Sequence, residues 1–115
     1  MMTAVERYLQ FLDDLITKKQ KIGKNEVVDD VLAREDSLDD MVEENDDLHT
    51  FIEDELTYVF ISNNAYRYYV IGVRELRDDL LMILEEQEKI KNGGSSARLD
   101  ARLKKQQDFI DNIGK

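Results

Sequence analysis

Residues 38–61, LDDMVEENDDLHTFIEDELTYVFI, decide the fold of this chain. Apolar side chains recur there at helical spacing, and at about 100° per residue they fall on one narrow face of a helix. They are Leu38, Met41, Leu48, Ile52, Leu56 and Val59, with Asn45 in the same stripe. Acidic side chains occupy the opposite side. We therefore expect one continuous helix over 38–61, with a buried apolar stripe and a solvated acidic face.

Segments on both sides of this stretch also show helical spacing. Thr3 and Glu6 form a capping box that opens a helix over 3–22, and Gly23 offers a left-handed residue to end it. Residues 66–90 carry apolar side chains at alternating spacings of three and four, which is the seam of a helical bundle. Further helices are predicted over 26–34, 65–91 and 96–113.

The segment 57–72 fits two structures. Its β-branched and aromatic residues surround an Asn63-Asn64 pair, which by propensity favours a β-hairpin. Helix is favoured because the spacing from Tyr66 continues into the next helix, and because an isolated hairpin is only marginally stable. We predict a single all-α domain over 1–115, a small antiparallel bundle of four to five helices. The minor alternative is an α+β fold with one hairpin at 57–72.

Negative charge is concentrated in residues 26–55. Fourteen carboxylates and one arginine give this stretch a charge of −13, whereas the whole chain carries −10 at pH 7. Such density attracts basic partners and repels phosphate, so direct nucleic-acid binding is not expected. The absence of cysteine excludes disulfides and thiolate metal sites. Because the sequence shows neither a long apolar run nor a signal-peptide profile, we expect a cytoplasmic protein outside the membrane.

These features favour a non-enzymatic helical module that binds a basic protein surface, as an inhibitor that mimics nucleic acid or as an adaptor. The predicted partner-binding acidic face comprises Asp39, Asp40, Glu43, Glu44, Asp46, Asp47, Glu53 and Asp54. No catalytic residue or cofactor is expected. Apolar residues of the last helix, among them Leu99, Leu103 and Ile110, predict a homodimer. A second hypothesis is a structural helical oligomer whose acidic face only provides solubility.

A further pattern of carboxylates indicates another class. Glu43-Glu44-x-x-Asp47 is followed by Glu75-x-x-Asp78. This arrangement resembles the two motifs of MazG-type all-α nucleoside triphosphate pyrophosphohydrolases, although Asp47 stands where that family has Glu. The resemblance implies Mg²⁺ held by these five carboxylates against substrate phosphates. Helical spacing turns them away from the apolar stripes, whereas a catalytic metal needs carboxylates that face each other. The enzyme is therefore the alternative hypothesis.

Overall fold

The computed structural model describes residues 1–19, 21–23, 26–60 and 69–113, and these residues form an all-α fold. The α-helices are α1 (Ala4–Ile16), α2 (Val28–Ala33), α3 (Asp36–Glu44), α4 (Asp46–Asp54), α5 (Tyr69–Lys91) and α6 (Ala97–Asn112). A π-helix (Glu55–Phe60) continues directly from α4. The described ranges contain no strand, which confirms the predicted fold class.

The alternative hairpin at 57–72 does not form in its described parts. Residues 57–60 belong to the π-helix, and residues 69–72 belong to α5. The middle of the predicted hairpin, 61–68, lies outside the described residues. None of the described helices combines the length and the apolar character needed to cross a bilayer.

The predicted continuous helix over 38–61 is wrong, because the chain breaks at Asn45. The backbone there has φ −157° and ψ 81°, which is not helical. Asn45 Oδ1 accepts the N–H of Leu48 at 3.2 Å and so caps α4. The Asn45 amide also exchanges two hydrogen bonds with the Gln87 amide of α5, at 2.9 and 3.1 Å. The Asn45 side chain both caps α4 and pairs with the partly buried amide of Gln87. These hydrogen bonds favour the non-helical backbone conformation at Asn45.

The other helix boundaries differ less from those predicted from the sequence. α1 ends at Ile16 instead of near residue 22, and Lys18 adopts the positive φ of 63° that the sequence assigned to Gly23. α6 begins where predicted, because Ser96 Oγ accepts the N–H of Leu99 at 3.0 Å. The capping box of Thr3 and Glu6 is confirmed, with both of its hydrogen bonds present.

One hydrophobic core joins the helices. Its largest fully buried side chains are Tyr8, Leu12, Leu15, Val28, Leu32, Met41, Leu48, Phe51, Ile52, Val73, Leu76 and Leu80. The hydroxyl of Tyr8 donates to the carbonyl of Leu32 at 3.1 Å, and burial raises the pKa of Tyr8. Leu99 is the one apolar residue in the described part of α6 that is buried in this core. The molecule measures 47 × 45 × 22 Å, so it is about two helix diameters thick.

Candidate functional site

The acidic face lies on α3 and α4, on both sides of the break at Asn45. Its members are exposed except Asp54, which is half-buried. Burial raises the pKa of Asp54, and the nearby Glu53 carboxylate adds to this effect. The solvent-facing position therefore agrees with the prediction from sequence. The continuity of the face does not, because two separate helices carry it.

The break gives several carboxylates a structural role. Asp36 and Asp39 lie in the first turn of α3, and Asp46 and Asp47 lie in the first turn of α4. Carboxylates at these positions are stabilised by the positive end of the helix dipole and by its unpaired N–H groups. Part of the acidity in this stretch therefore stabilises helix starts.

Two members of the acidic face bind α1. The carboxylate of Glu44 accepts the N–H groups of Ala4 at 2.8 Å and of Val5 at 3.1 Å. Asp40 forms an ion pair with Arg7 at 2.7 Å. The two backbone hydrogen bonds lower the pKa of Glu44. These two carboxylates connect α3 to the start of α1.

We expect Glu44→Gln to reduce stability at neutral pH and to have a smaller effect in acid. A carboxyl whose folded-state pKa is lowered stabilises the fold above its unfolded-state pKa, which is about 4.3 for glutamate. That stabilisation is lost as the pH falls through the lowered pKa of the folded state. Urea denaturation of both chains at about pH 7 and about pH 3 measures the difference. Glu43→Gln, at an exposed neighbouring carboxylate, is the control and should lower stability at about pH 7 less than Glu44→Gln does. A Glu44→Gln effect of equal size at both pH values would contradict this assignment.

Among the exposed members of the predicted acidic face, four carboxylates form no ion pair and no hydrogen bond in the described ranges. They are Asp39 and Glu43 on α3 and Asp46 and Asp47 on α4. Val42 lies among them along the chain with 43% of its surface exposed. Glu53 differs from these four, since it lies 3.3 Å from Nε2 of His49. We call Asp39, Val42, Glu43, Asp46 and Asp47 the open acidic patch.

The carboxylates of the pyrophosphohydrolase-like pattern are not brought together. Glu43, Asp47, Glu75 and Asp78 are exposed, and both carboxylate oxygens of Glu44 accept N–H groups of α1. In the parts of the chain that the structure describes, no three acidic or histidine side chains gather into a group that could hold a metal ion. A scan against protein-family models, a search of curated proteins and a search of solved structures found no match to this chain.

A buried ion cluster that the sequence did not predict lies where α4, the π-helix, α5 and α6 meet. Nη2 of Arg102 lies 2.8 Å from Glu55 and 3.1 Å from Asp79, and Nε of Arg102 lies 3.2 Å from Asp79. The guanidinium carbon is 4.9 Å from the ring centre of Phe51. Gln106 donates to Glu55 and to the carbonyl of Phe51, both at 3.0 Å. Burial opposes the charge of Arg102, but the two carboxylates outweigh it and raise the pKa of Arg102.

The signal for this cluster was weak. Glu55 ends the acidic stretch of residues 26–55, and nothing in its local sequence distinguishes it from the other carboxylates there. In the structure it is 5% exposed, at the start of the π-helix. Gln106 lies seven residues after Leu99, at a position of the apolar stripe of α6, and a polar residue in such a stripe indicates a buried partner.

A second buried carboxylate supports the turn between α5 and α6. Glu86 is 3% exposed and accepts the hydroxyl of Ser96 at 3.0 Å. Lys89 and Arg98 each approach it at 3.3 Å. The Ser96 hydroxyl is the main cause of a lowered pKa of Glu86, and the two cations add to it. This cluster positions the first residues of α6.

Proposed function

We propose that this chain is a non-enzymatic helical module that binds a basic protein surface through the open acidic patch. The observation that carries the proposal is the set of four exposed carboxylates that no described cation neutralises. They belong to a stretch with a charge of −13 in a chain of −10. A positive partner surface would complement this potential, increase the association rate and exclude acidic competitors.

The contact residues are fewer than the acidic face that the sequence suggested. Glu44 and Asp40 bind α1, and Asp54 is half-buried. The patch that remains spans the end of α3 and the start of α4. Val42 supplies exposed apolar surface within it, and protein interfaces commonly surround an apolar centre with a polar rim.

The partner surface that fits best is one that otherwise binds phosphate groups. Arginine and lysine side chains that contact nucleic-acid backbones are spaced to meet successive negative charges. Asp39, Glu43, Asp46 and Asp47 place four negative charges within nine residues of the chain and can pair with such cations. In this role the module acts as an inhibitor or as an adaptor.

The proposal is tested with a matched pair of triple variants. Asp39→Asn, Glu43→Gln and Asp47→Asn neutralise the patch, while Glu75→Gln, Glu88→Gln and Asp100→Asn neutralise three exposed carboxylates elsewhere. Both variants change the net charge by the same amount, and Asp100, like Asp47, lies in the first turn of a helix. We expect proteins captured from the native host by wild type and by the control variant to bind the patch variant at least tenfold more weakly, a loss of about 1.4 kcal/mol. The affinity for the purified partner should also become less dependent on salt.

Other outcomes would contradict the proposal. Equal weakening by both triple variants would show attraction by net charge alone. Unchanged binding together with equal losses of solubility would support the hypothesis that the acidic face only provides solubility. Release of pyrophosphate from a nucleoside triphosphate with Mg²⁺ would support the enzymatic alternative. Circular dichroism of both variants establishes that the helices are intact.

A further inference from the structure

The turn between α5 and α6 carries an asparagine that is followed directly by a glycine. Asn92 and Gly93 come after the last residue of α5, and both are exposed. Gly93 has φ 93°, a left-handed conformation that a residue with a Cβ rarely adopts. The missing Cβ also leaves the backbone nitrogen of Gly93 open to close approach by the Asn92 side chain. One exposed turn therefore holds an amide carbon and an unhindered nitrogen next to each other.

Hydrogen bonds hold the side chains of the other described asparagines. The Asn45 amide exchanges two hydrogen bonds with Gln87, and the Asn112 amide donates to the carbonyl of Asp108 at 2.6 Å. Each of these asparagines is followed by a residue with a side chain, which crowds the next backbone nitrogen. Within the described ranges, the Asn92 side chain forms no hydrogen bond. Its amide is therefore free to turn towards the backbone.

The nitrogen of Gly93 must lose one hydrogen bond before it can react. Its N–H donates to the carbonyl of Ile90 at 3.0 Å, and the N–H of Gly94 donates to the carbonyl of Lys89 at 2.9 Å. Bonds at the end of a helix open at little cost in free energy, because few other contacts break with them. Residues 91–95 are all exposed, so no buried side chain opposes this opening. The nitrogen of Gly93 is therefore freed for short periods while α5 stays folded.

We propose that Asn92 is a site of spontaneous deamidation. The deprotonated nitrogen of Gly93 attacks Cγ of Asn92, so a bond between this nitrogen and Cγ forms and the bond between Cγ and Nδ2 breaks. The side-chain nitrogen leaves as ammonia, with the proton that Gly93 gave up, and a five-membered succinimide remains. Water then opens the ring at either carbonyl carbon. The products are aspartate and isoaspartate, and in isoaspartate the backbone runs through Cβ and Cγ of residue 92.

The products alter charge and backbone length beside the cluster around Glu86. A carboxylate at position 92 follows the C-terminal end of α5, where the helix dipole disfavours negative charge. Isoaspartate also adds one carbon to the backbone just before Gly93. Ser96 lies three residues further, where its hydroxyl donates to Glu86 at 3.0 Å and accepts the N–H of Leu99 at 3.0 Å. We therefore expect the modification to loosen the first turn of α6.

Mass spectrometry of peptides from aged wild-type protein tests the site. We expect the folded chain to exchange the Asn92 amide for a carboxyl at a rate within about tenfold of that in urea, because opening of the turn costs less than about 1.4 kcal/mol. Asn45 and Asn112 are internal controls and should convert at least about tenfold more slowly in the folded chain. An isoaspartate-specific methyltransferase should label the aged protein. A larger protection of Asn92 by folding, or equal rates at the three asparagines, would overturn the proposal.

Two variants separate the chemistry from a general effect of the turn. Asn92→Gln should abolish labelling by the methyltransferase, because its longer side chain would have to close a six-membered ring, which forms much more slowly. Lys91→Gln is the matched control at the neighbouring exposed residue and should be labelled like wild type. Labelling that persists in Asn92→Gln would place the modification at another residue and refute the assignment.

Hydrogen exchange measures the consequence for α6. The amide of Leu99 should exchange faster in aged protein that contains isoaspartate than in fresh protein, because its bond to Ser96 weakens. Asn92→Asp introduces the charge without lengthening the backbone, and we expect it to accelerate this exchange less. Equal exchange in fresh and aged protein would contradict the predicted loosening of α6.

Discussion

Replacing Arg102 by alanine is expected to lower the free energy of unfolding by about 3 kcal/mol. The substitution leaves Glu55, whose side chain is 6% exposed, with Gln106 as its one remaining side-chain partner in the described structure. Removing one partner of a fully buried ion pair costs about 3–5 kcal/mol. The lower end applies because the Asp79 side chain is 29% exposed and stays hydrated. Loss of the contact with the Phe51 ring adds to the effect.

Urea denaturation at one fixed protein concentration measures this effect, since association would alter the apparent stability. Lys104→Ala is the matched control on the same helix. Lys104 pairs with Asp108 at 2.7 Å, but their side chains are 75% and 56% exposed. An exposed pair of this kind contributes little to stability, because water and salt screen both charges. Similar losses for both variants would show that the Arg102 cluster is no more important than a surface ion pair.

Asn45→Ala is expected to destabilise the fold by about 2 kcal/mol. Loss of the cap on α4 contributes about 1 kcal/mol. The amide of Gln87 loses both of its hydrogen bonds to Asn45, and leaving such a group unpaired costs about 1–3 kcal/mol. Water reaches half-buried Gln87, so this second contribution falls at the lower end of its range.

Asn45→Asp separates the two contributions. An aspartate still caps α4 and still accepts from Gln87, but it cannot donate to Gln87 Oε1. We expect it to be destabilising by less than about 1 kcal/mol, because one of the two hydrogen bonds with Gln87 and the cap on α4 are kept. Thermal and urea unfolding followed by circular dichroism provide both values. An alanine variant with unchanged stability and higher helical content would show that α3 and α4 can merge into one helix at little cost.

Much of the fold follows from side-chain spacing. Val73, Leu76, Leu80 and Ile83 are buried as the predicted seam requires, and the stripe of residues 38–61 supplies Leu38, Met41, Leu48, Ile52 and Leu56 to the core. Local signals were sufficient here, because a helix that packs on one side needs only a regular apolar face. The capping box at Thr3 was equally local, with both partners within four residues.

The break at Asn45 depends on a partner 42 residues away, and a helical wheel cannot detect such a partner. On a helical wheel at 100° per residue, a buried polar residue inside one helix and a capping residue between two helices both lie in the apolar stripe. The wheel therefore cannot distinguish them. One signal was available in the sequence. Asn45 and Gln87 are both polar residues in apolar stripes, and two such residues can satisfy each other.

The candidate site was also partly predictable from side-chain spacing. Exposure of Asp39, Glu43, Asp46 and Asp47 follows from their position opposite the apolar stripe. The hydrogen bonds between Glu44 and the first N–H groups of α1 could not be predicted in this way, because they depend on how α1 and α3 pack. Burial of Glu55 does not follow from its acidic neighbours in sequence, because its partners Arg102 and Gln106 both lie on α6.

A flattened protein exposes more surface than a spherical protein of equal mass, and this protein is flattened. Its accessible surface is 7548 Å², whereas a compact monomer of 13.5 kDa exposes roughly 6,500 Å². Because of this additional area, charged side chains can stay in contact with water although they make up 37% of the residues. Every helix keeps one side in water, so the chain can hold 26 carboxylates while burying only a few of them.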